Sequence, residues 1–423
     1  MDRKTSQENV HRPMSKRINL GFCHISSFWA NLLFAVIAVA GQVGQNVTLP
    51  LWIDSTNSVS SNSTGYTPTV DSYFVVSFAS LLFVIIFGIG SLVIIAIKPN
   101  LIGETEKKFP KKLLAQVGIC DGLNGLLVVF ASSGKRTAPY LQAILGNFLI
   151  PITLAIRFLI LKKKPTFRKL ICGMVVVLGL FICLLPTIFP KIDPKSKQDL
   201  GGASGAAGVL WPMCFMLGFV PAAIMNVIEE KSLKLENVTS RRGINLVYFL
   251  FWTSVYQLLT VGLFFWADII PGFGNSKNIS EFAQNWWFGV RCFFGGGGCT
   301  PVSGTRGTIF ITMYVLSYVG GGNLLRYAEG ATWLALVTSL VTPLGFVFWT
   351  LFKESPFGWH PKEHISTWFS IGALVIMVPS IYIYNTGPPE ISMEVDLRYD
   401  EKYRHVNEPE NDDKASLLPE PVL

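Results

Sequence analysis

The chain has 423 residues, half of them hydrophobic and only 15% charged, with a formal net charge of +8. That balance leaves more apolar surface than one soluble core can hide, so the chain is read as membrane-embedded. The Lys and Arg clusters lie in short stretches between apolar runs, which excludes reading the positive charge as a nucleic-acid surface.

Residues 1–27 form a polar, basic tail with Arg3, Lys4, Arg12, Lys16 and Arg17. The run that follows is too long for a signal peptide and lacks its small-residue cleavage site, so the tail is expected to stay in the cytosol. Apolar runs of roughly 18 to 25 residues, the length that spans a bilayer, begin near Phe28, Tyr73, Leu113, Pro139, Leu170, Ala206, Leu246, Thr308, Thr332 and Ser366. An even number of spans puts the C-terminus in the cytosol too. The clusters Lys107 to Lys112, Lys162 to Lys169 and Lys231 to Arg242 then all fall on the cytosolic side, as basic loops prefer.

The first run carries Gln42 and Gln45. After it, the sequon at Asn62 lies in a non-cytosolic loop, where glycosylation is expected. The third run, from Lys112 to Ser132, holds Asp121 near its middle, with Gly118, Gly122, Gly125 and Asn124 close by. A carboxylate at that depth is costly and is usually kept only where it faces a polar cavity. Asp121 and Asn124 are therefore expected to line a transport path. The fourth run adds Gln142 and Pro151, the sixth Asn226, the seventh Gln257, the eighth Asn323, and the ninth Ser339 and Pro343. These amides and the Ser339 hydroxyl are further lining candidates, and the two prolines are hinge candidates because each removes a backbone donor in mid-span.

Laying the fourth run on the ninth reveals an internal repeat. Pro151 in "NFLIPITLAIRFLIL" matches Pro343 in "SLVTPLGFVFWTLF" at an offset of 192, while Gly179 and Pro186 match Gly372 and Pro379 at 193. A unit of five helices is odd, so the second copy is inverted relative to the first. The expected fold is an all-α integral membrane protein of ten transmembrane helices in two inverted five-helix repeats, at 28–187 and 206–385, joined by a non-cytosolic linker at 188–205.

The longest loop, 268–307, contains "EFAQNWWFGVRCFFGGGGCTP" and a second sequon at Asn278. Its aromatic residues suit a segment lying at the membrane interface, and Cys292 and Cys299, flanking four glycines, are expected to form a disulfide on the non-cytosolic side. The string "HPKEH" at His360–His364 has the spacing of an inverted zinc-peptidase motif, but Pro361 opposes a helix interior and no third ligand follows, so no metal site is expected. No cofactor is expected either. Residues 386–423 turn acidic and are expected to be a disordered cytosolic tail. Within it, "DKASLL" (Asp413, Leu417 and Leu418) resembles an acidic dileucine sorting signal read by a clathrin adaptor, and "YRHV" resembles a tyrosine-based one.

The stretches "YLQAILGNFLIPITLAIRFLIL", "VPAAIMNVIEEKSLK" with "WTSVYQLLT", and "GGNLLRYAEGATWLALVTSLVTPLGFVFW" resemble the chloroquine-resistance-transporter-like family of the drug/metabolite transporter superfamily. The resemblance covers roughly residues 30 to 385. It implies a lysosomal or vacuolar exporter, driven by protons, that moves amino acids, short peptides or cationic compounds from the acidic lumen to the cytosol. Alternatives within the superfamily are a glutathione or thiol transporter and a nucleotide-sugar antiporter; the latter needs cations for its phosphates, for which Arg157 and Arg326 are the candidates. A membrane enzyme has no convergent acid, base or metal set to support it. Two departures stand out: only Cys292 and Cys299 replace the family's four loop cysteines, and "GQVGQNV" leaves the first span neutral where the family can carry a basic residue.

Overall fold

Most of the apolar runs become helices in the computed structural model, which describes residues 17–19, 24–53, 68–132, 136–137, 142, 145–163, 165–189, 203, 205–234, 243–296, 299, 302–328, 330–353, 356–361 and 365–386. A hairpin of β1 (Arg17–Asn19) and β2 (His24–Ser26) leads into α1 (Ser27–Ile53) and α2 (Ser72–Ile97). Then come the short α3 (Glu104–Lys107), α4 (Lys111–Ala131), α5 (Leu149–Leu161), α6 (Phe167–Ile188) and α7 (Ala207–Leu233). The second half holds α8 (Leu246–Leu263), α9 (Ile279–Phe293), α10 (Ser303–Tyr327), α11 (Ala331–Thr338), α12 (Val341–Leu351), the small ladder of β3 (Phe352–Lys353) with β4 (Gly358–Trp359), and α13 (Ile365–Asn385).

Among the described residues, nine helical stretches are long and apolar enough to cross a membrane, the pair α11–α12 counting as one. In the fourth run the structure describes α5, of 13 residues, preceded by helical positions at Gln142, Leu145 and Gly146; the start expected near Pro139 lies outside the described residues. Asn62 and the tail with Asp413, Leu417 and Leu418 lie outside the described residues. The expected long loop at 268–307 is largely structured, because Asn278 caps α9 by accepting from the Glu281 amide at 2.8 Å and α10 begins at Ser303. Asx caps also start α2, where Asp71 accepts from the Phe74 amide at 2.7 Å, and α8, where Asn245 accepts from Val247 and Tyr248. Each satisfies donors that the first turn of a helix leaves orphaned.

The fourth and ninth runs are interrupted in the same way. Asn147 and Phe148 form a turn before α5, and Ser339 and Leu340 separate α11 from α12. The Phe148 amide donates to Leu145 at 3.0 Å and the Leu340 amide to Val337 at 3.2 Å; one turn on, Ile152 donates to Phe148 and Leu344 to Leu340, both at 3.1 Å. All these positions keep the offset of 192 that relates Pro151 to Pro343. The cause is local: proline has no N–H to give the residue four positions back, and its ring crowds that carbonyl, so the helix opens just before it.

Packing places α1 against α10, α4 against α7 and α8, α2 against α8, α5 against α7, and α6 against α13. The distribution of polarity is that of a membrane protein. Leu92, Leu159, Leu263 and Val375 face outward, while Asp121, Glu229, Glu230 and Arg157 are buried. Glycines allow the closest approaches: a β-carbon at Gly320 would lie 2.5 Å from the Ala38 amide nitrogen, and one at Gly118 would lie 2.4 Å from the Thr253 carbonyl oxygen.

Candidate functional site

Asp121 sits at the midpoint of α4 and is buried. Gly118 and Gly122, one turn before it and one residue after it, press α4 against Thr253, Tyr256 and Thr260 of α8. Gly125 faces Val76 of α2. Close packing therefore accounts for the glycines of this helix, and the carboxylate needs a different reason. Its partner is Tyr318 of α10, whose phenolic hydroxyl donates to Asp121 Oδ2. Gln257 of α8 donates through Nε2 to the same hydroxyl at 3.5 Å.

An aromatic wall surrounds this group. The Tyr318 ring meets Tyr314 at 4.9 Å and Phe83 at 5.5 Å between centroids, and Phe83 in turn meets Tyr314 at 4.9 Å. Tyr314 and Tyr318 are half-buried, on a helix that packs against α2 and α8. Gln257 Oε1 on α8 and Gln45 Nε2 on α1 are buried with no hydrogen-bond partner in the protein, and such groups are satisfied by water or a bound solute. The arrangement offers a carboxylate, a phenol and amide groups inside an apolar frame. It can hold a proton or a cationic or hydrogen-bonding group, and nothing in it is built to break a covalent bond.

Glu229 extends the site. Its Oε1 lies 3.4 Å from where a β-carbon at Gly322 would stand, one turn along α10 from Tyr318. It feels the charges of Asp121 and of Arg326, whose guanidinium donates to the Ile244 carbonyl. Asp121 is thus not the lone acidic group inside the bundle. The Glu229–Glu230 pair was not among the residues the sequence pointed to; α7 continues to Leu233 and buries both carboxylates. Tyr314 and Tyr318 were also missed. An i, i+4 aromatic pair looks the same whether it packs a core or lines a path.

The other candidates fall in several places. Asn124 is half-buried one turn from Asp121, Gln42 is half-buried on α1, and Asn226 is buried on α7 one turn before Glu229. Asn323 is half-buried and donates to the Val319 carbonyl of its own helix at 2.8 Å. Ser339 stands at the α11–α12 break, its hydroxyl donating to the Leu336 carbonyl at 2.5 Å. Gln142 donates to the carbonyls of Ser132 and Thr137 at 2.9 and 2.7 Å, tying down the connection after α4. Pro151 and Pro343 are the third residues of α5 and α12.

Beyond the α2 N-terminus, α9 covers one end of the bundle. Trp286 Nε1 donates to Ser77 Oγ at 3.0 Å, and Cys292 is joined to Cys299 with Cα atoms 5.4 Å apart. An apolar cavity of about 310 Å³ lies between α2, α8 and α9, lined by Tyr73, Leu258, Phe282 and Trp286 among others. Asp121 does not border it, so the polar cluster and not this crevice is the candidate site.

Residues 56–352 match the family described as CRT-like, chloroquine-resistance transporter-like. Three curated proteins of Dictyostelium discoideum are similar over shorter stretches. "Crt homolog 1" is 27% identical over 163 residues, which is 38% of this chain and 30% of that protein. "Crt homolog 3" is 24% identical over 162 residues, covering 38% and 30%, and "Crt homolog 2" is 22% identical over 160 residues, covering 38% and 29%. The matched part thus spans about a third of each relative's length. The family match covers well over half of the chain and agrees with the nine apolar membrane-length helices among the described residues. The chain belongs to the CRT-like, chloroquine-resistance transporter-like, family.

Proposed function

We propose that the protein is a proton-coupled secondary transporter of small organic solutes, amino acids, short peptides or cationic compounds, working by alternating access from an acidic lysosome or vacuole to the cytosol. The observation that carries this reading is Asp121, a carboxylate buried at the midpoint of a membrane-length helix and hydrogen-bonded by the Tyr318 hydroxyl. A buried carboxylate that can be charged or neutral is the simplest carrier for a coupled proton. The matching breaks before α5 and before α12 support two inverted five-helix repeats, with α5 as the short described part of a tenth span, and interrupted helices of this kind are where such transporters place their sites. Exchange of a phosphate ester has less support, because Arg157 is held by Glu230.

Uptake into proteoliposomes with an imposed proton gradient, screened over amino acids, di- and tripeptides and glutathione, tests the reading. Asp121→Asn is expected to abolish gradient-driven accumulation while the protein remains folded. Wild-type accumulation with unchanged pH dependence in that variant overturns it. For the location, Leu417→Ala with Leu418→Ala is expected to move the protein to the plasma membrane, and unchanged lysosomal staining refutes the sorting motif.

A further inference from the structure

Glu230 collects more partners than any packing role requires. Its side chain is wholly buried, and Arg157 of α5 grips it with two parallel hydrogen bonds, Nε to Oε2 and Nη2 to Oε1, each 2.9 Å. Lys163, just past α5, comes within 3.5 Å of Oε1, and Lys234, one turn along α7, within 3.2 Å. The amide of Ala331, the first residue of α11, donates to Oε2 at 2.9 Å. Lys234 also donates to the Ala328 carbonyl at 3.0 Å, so the connection between α10 and α11 is held at both ends. Gly330 permits this: its φ is +101°, and a β-carbon there would lie 2.2 Å from the Glu230 carboxyl carbon.

The elements gathered on this carboxylate are those that carry the interruptions. α5 follows the Asn147–Phe148 break and α11 precedes the Ser339–Leu340 break. We infer that Glu230 is a latch, a positioning residue that closes one end of the transport path by clamping α5 and the start of α11 to α7. This rests on the transporter reading above. The surrounding lysines mark that end as cytosolic. A buried ion pair suits a reversible closure, because separating the partners lets water repay much of the desolvation cost of pairing them. Release of Glu230 frees both interrupted helices to move about their proline hinges while the Asp121 cluster stays intact.

The test is thiol accessibility in the full-length protein in membranes, with no substrate and no proton gradient. Cys23, Cys120 and Cys214 are replaced by Ser, and Asn323→Cys, between Tyr318 and Arg326 on α10, reports the path. A membrane-impermeant maleimide is added from the cytosolic side. Glu230→Gln and Arg157→Gln are expected to raise the labelling rate about tenfold or more, as weakening a two-state closure does, and to lower labelling from the opposite side. Ala331→Pro guards against misfolding of those variants. It removes the amide donor and sets a ring carbon against Oε2, at a helix position where proline suits the backbone, while leaving the Arg157–Glu230 charges in place, and is expected to raise cytosolic labelling by a smaller factor. Parental labelling rates in Ala331→Pro, or increases from both sides at once, overturn the latch. Because the readout needs neither substrate nor gradient, failure here leaves proton coupling at Asp121 standing, and failure of that coupling leaves the latch standing.

Discussion

Glu229 and Glu230 are neighbours in α7 but serve different sides of it. Successive helical residues point about 100° apart. Glu229 accordingly turns to Gly322 on α10, within the field of Asp121 and Arg326, whereas Glu230 turns to Arg157 on α5 and the Ala331 amide on α11.

The same substitution should therefore have different effects at the two positions. Glu230→Gln leaves the buried Arg157 without its counter-charge, a loss of the kind that costs about 3–5 kcal/mol, and the melting temperature in detergent should fall by several degrees. Among the described residues Glu229 makes no ion pair, so in Glu229→Gln thermal stability should stay near that of the parent while transport kinetics change. Equal destabilisation by both variants would show that the two carboxylates share one structural role.

Tyr318 should tune the site without being its proton carrier. Tyr318→Phe keeps the ring that packs on Tyr314 and Phe83 but deletes the hydroxyl that Asp121 accepts and Gln257 reaches. Losing one hydrogen bond to a charged group costs about 1.5–3 kcal/mol. Transport should persist with an altered pH profile and apparent affinity, unlike Asp121→Asn, in which gradient-driven accumulation disappears. A Tyr318→Phe profile that overlays the parent's removes the tyrosine from the mechanism.

A separate pH dependence resides at the end covered by α9. Asp71, just outside α2, has its proton affinity raised to about 8 by burial first and by Asp268 second, with hydrogen bonds from the Phe74 amide and Asn285 opposing. Asn285 bridges Asp71 to the loop: its Oδ1 accepts from the Thr69 amide at 3.1 Å, its Nδ2 donates to Ser276 at 3.2 Å, and Ser276 donates to Asp268 at 2.7 Å. Arg136 is the cation on this cluster, donating to Asn275 Oδ1 at 3.1 Å, and burial lowers its own proton affinity while Asp268 opposes that. Tyr73 completes the titratable neighbours. A carboxyl that binds its proton more tightly folded than unfolded stabilises the fold fully at pH values below its ordinary 3.8, and that contribution is lost progressively as pH rises to about 8. Docking of 268–296 should be tightest in acid and should loosen toward pH 8, by on the order of 1 kcal/mol per pH unit. Hydrogen exchange across 276–290 in the parent and in Asp71→Asn measures it; an Asp71→Asn protein with the same pH slope as the parent rules Asp71 out.

Asp121 was legible in the sequence because one carboxylate in an apolar run has few explanations. Its partners were not, since Tyr318 lies 197 residues away and only the packing of α4 between α8 and α7 brings α10 to it. The interruptions were legible because proline acts locally, and Pro151 and Pro343 each open their helix a few residues upstream. The exact place of the turn at Asn147 and Phe148 was not, because hydropathy counts Pro139 to Leu161 as one apolar run. Gln142 shows a further limit: an amide in an apolar stretch can serve backbone carbonyls, here those of Ser132 and Thr137, as readily as a solute.

Cys292 and Cys299 close a loop so short that their bond removes only about 2 kcal/mol of chain entropy. α9 has other anchors: Trp286 on Ser77, Phe293 against Phe78 with ring centroids 4.8 Å apart, and Phe293 against Trp52 at 6.1 Å. Cys292→Ser should therefore fold and reach its membrane. The bond ties the C-terminal turn of α9 to the strand of chain entering α10, which carries Tyr314 and Tyr318, so the expected effect is on the motion of that end of the path and hence on the apparent affinity for solute. Transport assays on Cys292→Ser should show a changed KM with unchanged protein in the membrane, and mass spectrometry of the unreduced parent should recover the two cysteines in one linked peptide pair. Free, alkylatable thiols at both positions in native membranes, together with a parental KM in the variant, would assign the positioning of α9 to its aromatic anchors alone.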